Sequence, residues 1–296
     1  MNIYGQISKN KVKTYLILSV FVGLMMMVFY AIGKYVGDPT TYFFIGLFFS
    51  IFSGFGSYFF SDKIVLSMSG AKPASKQEYF DFYTVTENLA IANGMPMPKL
   101  YVIDDPAPNA FATGRNPQHA VVAASTGLLK RLDRSEIEGV IAHELSHIKN
   151  YDILVMSIVG VLVGTIVFVV DMAMRGLMWG GNDDNDRRGN AFSIAILLIS
   201  LIVLPFLASL MQMAVSRRRE FLADASGALL TRNPDALADA LEKISADPHK
   251  LRTASHATAH LFISNPYGTS KARDFLTNLF STHPPTAERV RILRSM

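Results

Sequence analysis

The sequence predicts a mainly helical α+β chain in which four transmembrane helices carry a soluble domain with a small β-sheet. Three observations predict it. Four stretches contain no Asp, Glu, Lys or Arg: residues 14–33 (20 residues), 39–61 (23), 153–170 (18) and 189–216 (28). The segments between and after them show apolar residues at helical spacing and only a few short strand-like runs. The composition, 50% apolar and 18% charged with a mean hydropathy of +0.26, is too apolar for an ordinary soluble protein and too charged for a pure membrane bundle.

A helix needs about 20 apolar residues to cross the hydrocarbon core. The first, second and fourth stretches meet that length. The third is at the lower limit, and its other reading is a buried core helix or a re-entrant segment. Lys9, Lys11 and Lys13 precede the first stretch, but that run is long and lacks a small-residue cleavage pattern, so it reads as an uncleaved span. Lys and Arg set the orientation. Residues 1–13 hold three Lys, residues 62–76 hold Lys63, Lys72 and Lys76 against one Asp, and Arg217, Arg218 and Arg219 follow the fourth stretch. The loops at 34–38 and 171–188 are balanced or acidic. Four spans then put both termini and the soluble domain on the cytoplasmic side of the plasma (inner) membrane. The chain divides into a hairpin (1–61), a first part of the domain (62–152), a second hairpin (153–216) and a second part of the domain (217–296).

The net charge of +4 is modest, and the basic residues cluster at span ends, where they suit a lipid bilayer. No interleaving of basic and aromatic residues points to nucleic acid. The absence of Cys removes thiolates as ligands and fits a reducing compartment.

In the soluble parts, residues 76–94 have helical spacing and end at Gly94, a good C-terminal cap. Residues 99–104 read as a strand between Pro98 and Pro106. Residues 109–113 and 119–125 read as two strands around the turn Gly-Arg-Asn-Pro-Gln. Asp133 and Glu136 make a capping box that opens a helix over 137–150. Further helices are predicted over 218–230, 235–245 and 285–296.

The predicted helix over 137–150 contains His143-Glu144-Leu145-Ser146-His147, an H-E-x-x-H pattern. Residues i and i+4 share a helix face, so both imidazoles can grip one ion. Glu144 is placed to take a proton from a water polarised by that ion. A five-residue pattern of this kind turns up by composition alone in about one chain in a hundred of this length, so it needs support. A catalytic zinc site wants three protein ligands. The position that supplies a third His in one class of such sites is Ile153 here, so the third ligand comes from elsewhere. Glu220 is the best candidate, with Asp224 one turn on to hold the far nitrogen of a ligand His. His256 and His260 are a second i, i+4 pair, but no carboxylate motif supports a metal there.

The segments HELSH, EFLAD, PNAFATG and THPPTAER, in this order around paired spans, resemble the HtpX-type membrane zinc metalloproteases, relatives of the CAAX prenyl proteases within the gluzincins. The resemblance covers nearly the whole chain. It implies a zincin-like protease domain with one Zn2+ per chain bound by His143, His147 and Glu220, and Glu144 as general base. It implies an endopeptidase acting on unfolded or membrane proteins in quality control, overlapping with other membrane proteases. Asn109, Ala110, Phe111 and Ala112 resemble the segment beside the cleft, where an edge strand pairs with substrate backbone. His283 and Arg289 are carried over as oxyanion or substrate-binding groups.

Two competing readings are weaker. A silent scaffold with structural zinc would need a fourth protein ligand, and the sequence offers three with a free Glu beside them. A transporter would need ionisable residues in mid-span, and the stretches hold none. A dedicated processing protease of the CAAX type stays open, although four spans are few for a large closed chamber.

Overall fold

A computed structural model describes residues 3–179, 217–253, 255, 258–266 and 284–296. The expected span over 189–216, together with His256 and His283, lies outside the described residues.

Two long helices form an antiparallel pair. α1 (Ile3–Val36) and α2 (Pro39–Met68) are joined at Gly37 and Asp38, whose carboxylate caps α2 by accepting from the Thr41 N–H at 3.1 Å. Gly46 lets the pair approach closely, because a Cβ there would sit 2.7 Å from Phe29 Cβ. α1 starts well before the uncharged stretch, so Asn10 and Lys11 are helical and face the soluble domain and its boundary.

The sheet has four strands in the order β1-β2-β4-β3: β1 (Lys72–Pro73), β2 (Lys99–Ile103), β3 (Ala110–Gly114) and β4 (Ala120–Ser125). β2 and β4 are parallel, and the two outer pairs are antiparallel. Alternation along the strands feeds two apolar clusters. Phe111, Val121 and Ala123 join α1, α2 and the apolar helix α6 (Asp152–Trp179). Ala110, Ala112 and Val122 join the opposite cluster with α3 (Phe80–Ala92) and α5 (Arg134–Lys149). The sheet is therefore covered on both faces, and every residue of β3 and β4 is buried. Several short elements escaped the sequence reading, among them 3-10 turns at Pro117–His119 and Ala259–Leu261. β1 is two residues with an edge Pro, and α4 (Thr126–Arg131) is a single turn and a half capped by Ser125.

α5 opens with the expected capping box, both bonds at 2.9 Å. It does not run on into α6. Asn150 caps it, Tyr151 takes φ 60°, and α6 begins at Asp152. A bulky residue in the left-handed region is uncommon, so the break is a committed corner. Among the described residues three helices are long and apolar enough to cross a membrane: Ile7–Lys34, Pro39–Met68 and Asp152–Val169. The third differs in being 72% buried in protein, against 22% and 17%, which explains how so short an apolar run is housed.

α7 (Arg217–Thr231), α8 (Pro234–Ala246) and α9 (Thr286–Leu293) close the domain around α5. The packing turns on two glycines. A Cβ on Gly139 of α5 would meet the Leu237 backbone of α8 at 2.9 Å, and one on Gly227 of α7 would meet His143 N at 3.1 Å. Gly139→Ala gains about 1 kcal/mol of helix propensity but overpacks the contact by about 1–3 kcal/mol. The midpoint of thermal unfolding should therefore fall; a rise would show that α5 and α8 can separate freely.

Candidate metal centre

His143 and His147 project from one face of α5, and Glu220 projects from α7 beside it. All three are buried. Their ligand atoms lie within 4.8 Å of one another. The separations are 3.2 Å between the two Nε2 atoms, 3.5 Å from His147 Nε2 to Glu220 Oε1, and 3.9 Å from His143 Nε2 to Glu220 Oε2. A tetrahedral ion with bonds of about 2.0–2.1 Å holds its ligand atoms about 3.4 Å apart. The group therefore fits zinc in both size and donor type.

The outer nitrogens make the same point. His143 Nδ1 is 2.9 Å from Asp224 Oδ1, and His147 Nδ1 is 3.1 Å from Asp152 Oδ2. Each carboxylate holds the proton on Nδ1, leaving Nε2 with a lone pair. Once any proton on Nε2 is displaced, two lone pairs and a carboxylate converge on one point, and a cation is what such a group can hold.

Each orienting carboxylate is itself held. Arg289 Nε and Nη2 donate to the two oxygens of Asp224 at 2.8 and 2.7 Å, and Nη1 donates to the Ile263 carbonyl at 3.0 Å. Arg289 was expected to serve an oxyanion or substrate. In the structure it pairs with Asp224, as a buried carboxylate needs a cation, and it also borders the metal group, with Nη2 3.4 Å from His143 Nδ1 and Nη1 4.0 Å from Glu220 Oε2. Asp152 receives Asn10 Nδ2 at 2.8 Å and Arg219 Nη1 at 3.2 Å, and Asn10 also donates to the Asn150 carbonyl at 2.9 Å. Asn10 ties α1 to the corner between α5 and α6. Nothing in the local sequence marks it, because its partners are 140 and 142 residues away.

The protonation states follow from this frame. Burial disfavours charge on His143 and lowers its pKa. Burial also opposes charge on His147, but the Asp152 hydrogen bond and the Glu220, Asp152 and Glu144 charges outweigh it and raise the pKa to about 9. Burial alone would raise Asp224, yet the Arg289 charge brings it down to about 2. Glu144 is pushed up to about 7, chiefly by burial, against the pull of His147 and of the Ala112 N–H that donates to it.

β3 is the edge strand, as expected, and Ala112 points its N–H at Glu144. The rest of the edge is less open than a bare strand. The Ala110 carbonyl accepts from Ile263 N–H at 2.9 Å, and Gly114 N–H donates to Ser157 Oγ at 3.2 Å. The Asn109 side chain donates to the Ser264 carbonyl at 3.0 Å. Phe111 points to the other face and packs edge-on against Phe262. A chain segment distant in sequence thus covers the Asn109–Ala110 end.

Two outcomes are expected from this geometry. Asp152→Asn should weaken zinc binding about 10–100-fold and Asn10→Ala by about tenfold or less, both read by competition with a chelator; unchanged affinity in Asp152→Asn would remove it from the site. Zinc must also displace the His147 proton, which is present below pH about 9. Affinity should therefore climb with pH up to that point, by about tenfold per unit at most. A flat profile between pH 6 and 9 would contradict a charged His147.

Residues 77–296 match the model of peptidase family M48. A protease HtpX homolog of Tropheryma whipplei (strain TW08/27) is 48% identical over 99% of this chain and 98% of its own length. Homologs of the same description are 43% identical in Dictyoglomus turgidum, over 99% and 94%, and 41% identical in Caldanaerobacter subterraneus, over 99% and 98%. Among solved structures, the crystal structure of S. mikatae Ste24p shares the fold, with a TM-score of 0.50 at 20% identity. That match covers 97% of this chain and 66% of the other. A buried His-His-Glu group, apolar helices of membrane length and these full-length relatives agree: the chain belongs to peptidase family M48, as an HtpX-type membrane metalloprotease.

Proposed function

We propose that the chain is a zinc endopeptidase that cleaves unfolded or membrane-derived polypeptides at the cytoplasmic face of the inner membrane, in protein quality control. The observation that carries this is the convergence of His143, His147 and Glu220 on one point with Glu144 alongside. His143, His147 and Glu220 would hold a zinc ion, which would supply Lewis acidity to the hydrolysis. Glu144 takes the proton of the attacking water and delivers it to the leaving amine. Its pKa, pushed up to about 7, suits a group that both accepts and returns a proton near neutral pH. Burial of these residues keeps bulk water from competing. Ala112, next to Glu144 on the edge strand, is the natural point of contact for an extended peptide, which would take over the Ala110 carbonyl from Ile263.

The location supports substrates that come from the membrane. His147 Nδ1 bonds to Asp152, the first residue of the third membrane-length helix, at 3.1 Å, and Glu220 follows the uncharged stretch 189–216 by four residues, so the site sits beside the start of the apolar chain. Orientation rests on the Lys and Arg balance at the span ends.

Glu144→Gln should retain zinc and lose cleavage of an unfolded membrane-protein substrate by at least about a hundredfold, the scale of general-base catalysis. Zinc content measured beside the cleavage rate separates the two losses. Undiminished cleavage by this variant would overturn the mechanism.

A further inference from the structure

Lys11 and Tyr15 of α1, Tyr58 of α2, Arg115 of the β3–β4 turn, the corner residue Tyr151 and Leu154 of α6 line a cavity of about 170 Å3. It lies apart from the metal centre and no step of hydrolysis uses it. Its lining carries two cations and no carboxylate. Among the described residues no carboxylate pairs with Lys11 or Arg115, while the nearby Asp152 is engaged by His147, Asn10 and Arg219. Two like charges around one cavity repel, and an anion between them removes the repulsion.

The two cations are positioned but not saturated. Arg115 donates Nη1 to the Phe59 carbonyl at 3.1 Å and stacks 5.5 Å from the Phe59 ring centroid. Lys11 Nζ stands 5.1 Å from the Tyr151 ring centroid. Both keep further N–H donors for a ligand. Lys11 precedes the first uncharged stretch by three residues, Tyr58 lies three before the end of the second, and Leu154 is the second residue of the third. The cavity is thus level with the junction of polar and apolar chain on all three helices. Lipid phosphates and interfacial Tyr rings occupy that level, and basic pockets between membrane helices accept anionic headgroups there. Beside the cavity, Val12 and Leu16 of α1 are 65% and 57% exposed, an apolar flank suited to an acyl chain.

We propose that this cavity binds the phosphate of an anionic phospholipid, with Lys11 and Arg115 as its cationic contacts and the Tyr15, Tyr58 and Tyr151 rings around the headgroup. The bound lipid would bridge α1, the turn beside the edge strand and the corner that carries Asp152. A free phosphate shares the recognised chemistry, and the apolar flank favours the lipid.

The test uses the full chain in neutral detergent, with binding of short-chain phosphatidylglycerol, phosphatidylcholine and inorganic phosphate counted by native mass spectrometry. Phosphatidylglycerol should bind at least tenfold more tightly than phosphatidylcholine. Lys11→Gln with Arg115→Gln should abolish that preference, whereas Lys63→Gln, a cation elsewhere near the end of α2, should keep it. Equal binding of the two lipids, or an equal loss in Lys63→Gln, would overturn the proposal, as would inorganic phosphate that displaces the lipid at equal concentration. Lys11 is exposed, so Lys11→Gln alone serves if the double variant does not fold, with a partial loss expected and no loss overturning the site. The readout is lipid binding, so it stands or falls separately from the cleavage experiments.

Discussion

Two buried carboxylates, Asp224 and Asp152, direct everything else at the centre of this molecule. Each accepts a hydrogen bond from Nδ1 of one imidazole and so aims the opposite nitrogen at a shared point. A buried carboxylate without a cation is costly, and losing one partner of such a pair costs about 3–5 kcal/mol. That constraint recruits Arg289 to Asp224, and Arg219 and Asn10 to Asp152. The last helix and the helix of Glu220 are thus committed to one site by charge, and the first membrane-length helix by the hydrogen bond of Asn10. Close approach of the helices is a second condition, met at Gly139 and Gly227, where no side chain stands between α5 and its neighbours.

The corner at Tyr151 resolves an apparent conflict between a polar site and an apolar helix. The helix of His143 and His147 ends, the chain turns through a left-handed residue, and α6 starts on the very carboxylate that orients His147. The polar duties of this stretch are discharged before the apolar run begins. From there α6 buries its side chains against α1, α2 and the β3 face of the sheet, and Ser157 reaches Thr113 and Gly114 at the far end of the edge strand. The same helix therefore touches the edge strand and supplies the carboxylate that orients His147.

Much of this was legible in the sequence because it is local. The i, i+4 spacing of His143 and His147, the capping box ahead of them and the Glu220–Asp224 pair are all decided within one or two helical turns. The strands of 99–104, 109–113 and 119–125 appear within a residue of their expected places, since β-branched and small apolar residues between turn formers leave little choice. What the sequence hid is non-local. Asn10 meets Asp152 across 142 residues. Arg289 finds its acidic partner, Asp224, 65 residues away. Ile263 covers the end of an edge strand that local reading left open. β1 and α4 are too short to show a period at all.

The two imidazoles also show why a metal rather than a proton belongs between them. Their Nε2 atoms are 3.2 Å apart, so a proton on one leaves no room for a proton on the other without direct repulsion. The surroundings already break the tie: burial holds His143 neutral, while the carboxylates around His147 keep it charged up to pH about 9. One proton satisfies one lone pair and leaves the other, and part of Glu220, facing it. A dication satisfies all three acceptors at once and needs no change in the Nδ1 hydrogen bonds that Asp224 and Asp152 already make. Metal binding at this site is then an exchange of one proton for one ion within a frame built beforehand, and that frame extends through Asp152 and Asn10 into the first membrane-length helix.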